Sequence, residues 1–422
     1  MSRAARPRTL AEWLTLQESV HARSIDLGLA RVAQVARRLG VERPPFRVVT
    51  VAGTNGKGST VAFLEALLGA TGQLTGALSS PHLTHYNERI HLGGREATDA
   101  ELIGAFERIE DARGETTLTF FEYNTLAGLV LFADHKVDVA VLEVGLGGRL
   151  DATNVVDADV AVLCSVGFDH RDWLGDTLEA IGAEKAGIFR AGRPVVLGSP
   201  DMPASVFAAI AALEAPALIA ERDFSWEVLP GSWSYRSARR TLERLPPPPL
   251  AGAIQYRNAA TALTAIGALP GAHAITADQV ARAFGALHLS GRFQIIAGPV
   301  EWILDVSHNE PAARVLASNL SARPRRRTLA VCGILRDKDA AAIGQALRAS
   351  VDEWIVCALP GPRGSTAAEL AARLGPQIRP AGLAESVAAG CEQARAAARP
   401  GDRVVVFGSF ATVGSALEWL RL

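Results

Sequence analysis

The sequence predicts an α/β protein with two domains: an N-terminal domain with a P-loop-type, mainly parallel sheet, and a smaller C-terminal domain with a Rossmann-like α/β fold. Three observations support this prediction. From residue 47 onward, short β-branched runs alternate with segments of helical period, which is typical of βαβ units. The first run leads into a glycine-rich turn that opens a helix. A second series of strands and helices begins near residue 300 and lacks such a turn.

The first series predicts five strands and four helices before a change of pattern. The predicted strands cover residues 48–51, 74–78, 138–143, 159–164 and 194–197, and the predicted helices cover residues 59–70, 99–111, 120–134 and 177–189. Thr98 and Glu101 form a capping box at the start of the second helix. Aromatic residues among polar ones over residues 224–242 then indicate a small antiparallel insertion, and helices at 258–269 and 277–287 follow.

The second series predicts strands at residues 300–305, 328–332, 353–357 and 403–407. The Gly298-Pro299 pair just before it favours a break in regular structure. We therefore expect one domain over residues 1–297 and another over residues 298–422.

Composition excludes several classes of protein. The 422 residues carry 43 Lys and Arg against 44 Asp and Glu, a formal net charge of −1, so we expect no nucleic-acid partner. We find no apolar run of the roughly 18 residues that a membrane helix needs, and expect no membrane partner. Four widely spaced cysteines indicate reduced thiols and a cytoplasmic location. Only four residues are lysine, so each lysine position is informative.

The strongest local signal is VVTVAGTNGKGST at residues 48–60, a strand that enters a glycine-rich loop and a helix. Glycines let backbone N–H groups wrap around phosphate oxygens, the helix N-terminus adds positive potential, and Lys57 adds a point charge. We interpret the loop as a nucleoside triphosphate site, although its spacing is a variant of the general pattern. The alternative is a glycine-rich turn with a solvated lysine. The predicted phosphate-binding residues are Gly53, Thr54, Asn55, Gly56, Lys57, Gly58 and Ser59.

Three further side chains are candidates for chemistry at the same sheet edge. Glu143 ends a predicted strand before flexible glycines, where it could hold Mg²⁺ next to bound phosphates. His170 ends the next strand and is either a metal ligand or a structural histidine. Lys185 lies on an otherwise apolar helix, and is either a desolvated amine suited to covalent chemistry or a surface lysine paired with an acid.

Several blocks in this chain resemble one known family in order and spacing. They include GTNGKGST, SSPHL with NERIHL, LTFFEYNTLA, VLEVGLGGRLDATN, DHRDWLGDT, EKAGIF, LDVSHN, LRDKD and GSFATVG. Together they cover nearly the whole chain. It is similar to the folylpolyglutamate synthases and dihydrofolate synthases, which belong to the ATP-dependent Mur ligases.

The resemblance implies a set of roles for matching positions. ATP would bind at the glycine-rich loop, and two Mg²⁺ sites would be held by Ser80 with Glu143 and by His170. Lys185 would be carbamylated, and Lys57, Glu143, His170 and Lys185 would form the catalytic set. The base and ribose would be held by Asn258, Arg292, Asp305 and His308. The pterin would be held by Leu27, Thr119, Asp151 and Ala152. From residue types alone, a second interpretation is that Thr119 caps the following helix and Asp151 caps a turn.

The implied reaction is ATP-dependent ligation of L-glutamate to dihydropteroate, forming dihydrofolate, and to folates, through an acyl phosphate. Partners would be small molecules only, and the protein would be a monomer. Two enzymatic alternatives remain: folylpolyglutamate synthesis alone, or a Mur-type ligase acting on a cell-wall precursor, although only residues 1–46 precede the phosphate-loop strand. A nucleotide-dependent switch is disfavoured because we find no Asn-Lys-x-Asp motif.

Overall fold

The computed structural model describes residues 6–271 and 274–422, and within these ranges the chain forms two large sheets and one small sheet. The first large sheet has the strand order β4-β3-β2-β5-β1-β6-β7-β8. Its strands are β1 (Arg47–Ala52), β2 (Thr75–Leu78), β3 (Ile90–Leu92), β4 (Arg95–Glu96), β5 (Val139–Glu143), β6 (Val160–Leu163), β7 (Val195–Leu197) and β8 (Ala217–Ile219).

The centre of this sheet is β1, which pairs in parallel with β5 on one side and β6 on the other. These three strands are almost entirely buried, as expected for parallel strands with both faces covered. Val51 lies opposite Glu143 in the register of β1 and β5. The carboxyl ends of both strands therefore meet at one edge of the sheet, where α/β proteins bind ligands.

Ten helices accompany this sheet in the described residues. They are α1 (Leu10–Val20), α2 (Ala30–Leu39), α3 (Lys57–Ala70), α4 (Asp99–Arg113), α5 (Phe120–Asp134), α6 (Arg171–Leu174), α7 (Leu178–Ala186), α8 (Ala204–Ala212), α9 (Ile254–Ala268) and α10 (Ala277–Ala286). The predicted capping box of Thr98 and Glu101 is present at the start of α4. None of the helices described in residues 6–271 and 274–422 combines the length and apolar character needed to cross a bilayer.

The small sheet is an antiparallel meander of β9 (Phe224–Leu229), β10 (Ser232–Ser237) and β11 (Arg240–Leu245), which confirms the predicted insertion. Trp233 anchors it to the first domain. Its ring is fully buried and stacks on Phe284 of α10, and its Nε1–H donates to the carbonyl of Pro246 at 2.8 Å. The insertion therefore shares the core of the first domain.

The second large sheet has the order β12-β13-β17-β14-β15-β16, with β12 antiparallel and the rest parallel. Its strands are β12 (Gln294–Ile296), β13 (Glu301–Asp305), β14 (Thr328–Cys332), β15 (Glu353–Cys357), β16 (Pro380–Ala384) and β17 (Arg403–Phe407). Its helices are α11 (Glu310–Ser321), α12 (Ala340–Leu347), α13 (Ala367–Leu374), α14 (Val387–Ala397) and α15 (Phe410–Leu420).

The predicted α/β class and its two sheets are confirmed. The nine strands predicted for the two sheets agree with β1, β2, β5, β6, β7, β13, β14, β15 and β17 to within one residue at each end. The helix predicted to end at residue 189 ends at Ala186. The boundary placed at residue 298 stays a prediction, but the second sheet begins before it, because β12 pairs with β13 through Ile295 and Ile303.

The two domains approach each other without room for a side chain at Gly414, in the second turn of α15. A Cβ atom at this position would lie 2.1 Å from the backbone oxygen of Leu83, which belongs to the first domain. Such a contact requires a backbone to move, because Cβ atoms do not approach oxygens this closely. Gly414 therefore sets how near α15 can come to the loop after β2.

We predict that Gly414→Ala separates the domains while each domain stays folded. A displacement of about 1 Å at a reacting centre costs up to about 100-fold in rate, so we expect a loss of this order in the ATP-dependent turnover implied by the sequence. Small-angle scattering would measure the opening, and thermal melting would measure folding. Gly285→Ala on α10 is the matched control, since no atom lies within 4 Å of its added Cβ. Equal turnover in both variants would contradict the prediction.

Candidate active site

A cleft of about 710 Å³ lies between the carboxyl ends of the two large sheets. Both domains line it, and most of the residues predicted from the sequence meet there. Those in its wall are Leu27, Thr54, Asn55, Gly56, Lys57, Gly58, Ser59, Ser80, Thr119, Glu143, Asp151, Ala152, His170, Asn258, Arg292, Asp305 and His308. The remaining two, Gly53 and Lys185, line an adjoining cavity of about 40 Å³ together with Lys57 and His170.

The glycine-rich loop folds as a cradle between β1 and α3. Gly56 has φ 89°, a left-handed conformation that favours glycine, and a Cβ there would lie 3.2 Å from Oδ1 of Asn258. The Lys57 ammonium donates to the carbonyls of Gly53 at 3.0 Å and Thr54 at 3.3 Å. The loop therefore holds a positive charge at its centre, and Asn258 of α9 lies against it.

Glu143 ends β5 of the first sheet, Arg292 lies two residues before β12 of the second sheet, and the two side chains meet beside Gly58. Glu143 is 4% exposed, and its Oε2 accepts a weak hydrogen bond from the backbone N–H of Ser80 at 3.4 Å. Burial raises the pKa of Glu143, and the charges of Lys57 and Arg292 offset that effect in part. Burial lowers the pKa of Arg292, whose guanidinium lies 5.1 Å from the centre of the Phe410 ring. An acid and two cations thus share one desolvated region.

Asp169 connects the domains through Lys338 and Asn309, which the sequence did not single out for chemistry, and through His308, which it did. Its carboxylate accepts from the Lys338 ammonium and, at 2.9 Å, from Nδ2 of Asn309, and Nε2 of His308 lies 3.5 Å away. Asn309 also exchanges amide hydrogen bonds with Asn55 of the phosphate loop, at 3.0 and 3.1 Å. Burial acts to raise the pKa of Asp169, but the hydrogen bond with His308 and the charge of Lys338 outweigh it, so the pKa is lowered. The sequence feature that could have identified Lys338 as a site residue is the small number of lysines in the chain.

His170 has φ 52° and lies next to this network. Burial lowers its pKa to about 4, and Lys338 adds to the effect while Asp169 opposes it. Nε2 of His170 is 3.4 Å from the Lys338 ammonium. The imidazole predicted to bind a metal therefore has one of its two nitrogens next to a cation from the second domain.

Lys185 is 5% exposed on α7. Burial, with a contribution from the charge of Lys57, lowers its pKa to about 7. In the part of the chain that the structure describes, no hydrogen bond or ion pair reaches its side-chain nitrogen. The alternative of a surface lysine paired with an acid is therefore wrong, and a substantial fraction of this amine is neutral near pH 7.

The residues predicted to hold the pterin line the far end of the cleft, and two of them also cap local structure. The Thr119 hydroxyl accepts from the N–H of Glu122 at 3.2 Å at the start of α5. Asp151 is 2% exposed and accepts from the N–H of Thr153 at 3.0 Å and of Leu146 at 2.8 Å. Leu27 lies in a loop that is tied to this region by the N–H of Gly28, which donates to the carbonyl of Leu150 at 3.2 Å.

Asp305 ends β13 and His308 follows it, in the part of the wall that the second sheet supplies. Asp305 accepts from the N–H groups of Phe293 at 2.8 Å and Ser307 at 2.9 Å, and burial raises its pKa. Nδ1 of His308 lies 2.8 Å from the carbonyl of Val306. Since a carbonyl only accepts, Nδ1 carries the proton.

Comparisons with known proteins agree with this geometry. The family model described as Mur ligase middle domain matches residues 51–198, and that described as Mur ligase, glutamate ligase domain matches residues 291–410. The dihydrofolate synthase/folylpolyglutamate synthase of Escherichia coli (strain K12) is 45% identical over 412 residues, which are 97% of this chain and 95% of that protein. The chain belongs to the dihydrofolate synthase/folylpolyglutamate synthase family. It is an ATP-dependent amino-acid ligase.

Solved structures of this family superpose closely on the whole chain. E. coli FolC in complex with DHPP and ADP has a TM-score of 0.92 at 44% identity, with 98% of both chains covered. A bifunctional folylpolyglutamate synthase/dihydrofolate synthase with Mn, AMPPNP and L-glutamate bound has a TM-score of 0.90 at 42% identity, again with 98% of both chains covered. The similarity therefore extends over both domains and the cleft between them.

The residues around Glu143 fit a divalent cation. Within residues 6–271 and 274–422, no three His, Cys, Asp or Glu side chains cluster as a complete metal site. Mg²⁺ does not need one, because it is usually bound by one or two carboxylates, waters and substrate phosphates. Glu143 supplies a buried carboxylate, and Ser80 and the phosphate loop adjoin it. At His170, Lys338 would have to move before a metal could bind.

We predict that Glu143→Gln weakens the dependence of ATP turnover on Mg²⁺ and leaves the protein at least as stable as the parent. The folded-state pKa of Glu143 is raised, so its ionised form costs stability at neutral pH, and glutamine removes that cost. A Mg²⁺ titration of turnover and a melting curve at pH 8 measure the two effects. An unchanged titration with a lower melting temperature would identify Glu143 as structural.

Proposed function

We propose that this ligase joins L-glutamate to dihydropteroate, forming dihydrofolate, and to folates, and that it drives both reactions with ATP through an acyl phosphate. The observation that carries this proposal is the cleft where the glycine-rich loop and Glu143 of the first sheet meet Arg292, which leads into the second sheet. Relatives that match over the full chain carry both activities in their names. Folylpolyglutamate synthesis alone is the second candidate, because the two activities use the same reaction on different acceptors.

A carboxylate reacts poorly with amines because its negative charge repels nucleophiles. Transfer of the γ-phosphoryl group of ATP to the pterin-linked carboxylate gives an acyl phosphate, and attack by the α-amine of L-glutamate then releases phosphate. Lys57 and Arg292 place positive charge around the region where phosphate charge develops. Closure of the two domains excludes water, which would otherwise hydrolyse the intermediate.

The proposed ATP site uses the loop Gly53, Thr54, Asn55, Gly56, Lys57, Gly58 and Ser59 for phosphates, and Asn258, Arg292, Asp305 and His308 for the rest of the nucleotide. A divalent cation at Ser80 and Glu143 would neutralise triphosphate charge and align the γ-phosphoryl group. We propose a second cation at His170, which requires that the ammonium of Lys338 leave Nε2. The second site thus depends on how the domains close.

We propose that Lys185 is carbamylated. A neutral amine attacks CO₂ to form an N–C bond and loses one proton, which leaves a carbamate anion. Burial already favours the neutral amine at Lys185, and its cavity also holds Lys57 and His170. A carbamate there would place an anion in the cavity that the Lys57 ammonium and the His170 imidazole also line. That change favours a second cation beside His170.

At the other end of the cleft, Leu27 and Ala152 would supply apolar contact to a flat pterin, and Thr119 and Asp151 would supply polar edges. The small molecules ATP, L-glutamate and the pterin substrate are the proposed partners. A cytoplasmic location fits the four cysteines, which are all described, buried and unpaired. The monomeric state stays a prediction.

We predict that the purified protein releases phosphate from ATP only when L-glutamate and a pterin-linked acceptor are both present. Dihydropteroate and tetrahydrofolate should each gain one glutamate, which mass spectrometry of the products measures. Product from tetrahydrofolate alone would replace the bifunctional proposal with folylpolyglutamate synthesis. Phosphate release without addition of glutamate to either acceptor would contradict both the bifunctional proposal and folylpolyglutamate synthesis alone.

We predict that Lys185→Arg is 10- to 100-fold less active, the usual cost of losing a group that positions a metal. Arginine keeps the positive charge but does not lose its proton, so it cannot form the carbamate. Lys136→Arg is the matched control, because Lys136 is exposed. Activity within about threefold of the parent in Lys185→Arg would contradict the carbamate. Native mass spectrometry of the parent with and without bicarbonate tests for it directly.

A further inference from the structure

Arg89 is a buried cation without a carboxylate partner. It is 9% exposed, and its guanidinium packs against two aromatic rings, 5.5 Å from the centre of Tyr86 and 5.3 Å from the centre of Phe120. Among the residues that the structure describes, no acidic oxygen lies within 4 Å of it, and its Nε–H donates to Nδ1 of His82 at 2.7 Å. Burying a charge costs free energy unless a group of opposite charge lies close to it, so Arg89 requires such a group.

The contact with Arg89 fixes the tautomer of His82. Arginine has five N–H donors and no acceptor, so Nδ1 of His82 must accept and cannot carry a proton. The ring proton therefore resides on Nε2. No acceptor for Nε2 lies within hydrogen-bond distance anywhere in residues 6–271 and 274–422. His82 thus has one free donor, and it lines the active-site cleft.

The loop that carries His82 is rigid. The carboxylate of Glu88 accepts from the backbone N–H groups of Leu83 and Thr84, each at 2.7 Å. The Tyr86 hydroxyl donates to Oδ1 of Asn124 at 3.0 Å, inside the first domain. The direction of the free N–H is therefore set by the fold before any ligand arrives.

His82 is also placed between the two ends of the cleft. It follows Ser80 by two residues, at the proposed phosphate end. Its partner Arg89 packs on Phe120, which directly follows Thr119 at the proposed pterin end. A pterin-linked substrate that spans both ends must pass this position, and its carboxylate is the anionic group nearest the phosphate end.

We propose that Nε2–H of His82 donates a hydrogen bond to the carboxylate of the pterin-linked substrate. Arg89 is the positioning residue: its hydrogen bond to Nδ1 keeps the proton on Nε2, and its positive charge makes that N–H a stronger donor. This inference rests on the proposed function. It gives the buried charge of Arg89 a counter-charge that arrives with the substrate. It also holds one carboxylate oxygen while the other is free to attack phosphate.

The test compares His82→Leu, which removes the donor, with His82→Gln, whose amide retains one near Nε2. A hydrogen bond to a charged group is worth about 10- to 100-fold, so kcat/KM for dihydropteroate should fall by that factor in His82→Leu and recover in part in His82→Gln. KM for ATP and for L-glutamate should change by less than about twofold. His85→Leu is the control, because His85 lies in the same loop but outside the cleft wall and is exposed. Equal kcat/KM in His82→Leu and the parent would overturn the proposal.

The kinetic constants also show which anionic group His82 binds. A loss confined to KM for ATP, or to KM for L-glutamate, would show that His82 binds a phosphate or the incoming amino acid, and would overturn the assignment to the pterin-linked carboxylate. If the parent uses tetrahydrofolate but never dihydropteroate, the bifunctional proposal fails. The same comparison then proceeds with tetrahydrofolate.

The role of Arg89 is tested by its effect on the tautomer. Nitrogen-15 NMR of labelled histidine, with His82 assigned from the signal lost in His82→Gln, should show a proton on Nε2 in the parent and a mixture of tautomers in Arg89→Met. A proton on Nδ1 in the parent, or the same spectrum in Arg89→Met, would overturn the positioning role. The spectrum of the parent protein requires neither a variant of Arg89 nor turnover. It therefore shows which nitrogen of His82 carries the proton even if Arg89→Met does not fold or the enzyme uses neither acceptor.

Discussion

The removal of charged groups from water at the junction of the two sheets is the constraint on which the site depends. Parallel strands end there from both domains, and each brings polar groups into a region of low solvent access. Burial shifts the pKa values of Glu143 and Asp305 upward and those of Lys185 and Arg292 downward, in every case toward the neutral form. Such a site is electrostatically incomplete, and phosphates, a metal ion and carboxylates are the groups that would complete it.

Asp169 shows how this constraint couples the domains. Its carboxylate belongs to the first domain, while Lys338, His308 and Asn309 belong to the second. Asn309 also reaches Asn55, so the same side chain contacts both Asp169 and the glycine-rich loop. Direct contacts therefore link the approach of the two domains to the shape of the proposed nucleotide site. The close approach of Gly414 to Leu83 adds a steric limit on the same movement.

The parts of the fold that were predictable from sequence are those encoded locally. A buried β-branched strand followed by glycines and a helix identifies β1, its loop and α3, and the strand before Gly145 identifies Glu143. The strand β16 was missed because PAGLA contains proline and glycine, and tertiary pairing overrides its low β propensity. Lys338 and Asp169 lie 169 residues apart, and no local pattern predicts their contact. Arg89 and His82 are close in sequence, but only the packing of Phe120 reveals that the arginine is buried.

The two ends of the cleft differ in a way that residue types alone do not show. At the proposed pterin end, Thr119 and Asp151 already make the hydrogen bonds of caps, so these side chains are fixed before substrate binds. Toward the proposed phosphate end, Lys185 in the adjoining cavity and the free N–H of His82 have no protein partner among the described residues. The end whose side chains already have hydrogen-bond partners selects its ligand by shape and by fixed polar groups. The incomplete end, whose side chains lack partners, is stabilised only when a charged ligand binds. Because catalysis benefits only from interactions that strengthen as the reaction proceeds, the incomplete end is the one suited to the chemical step.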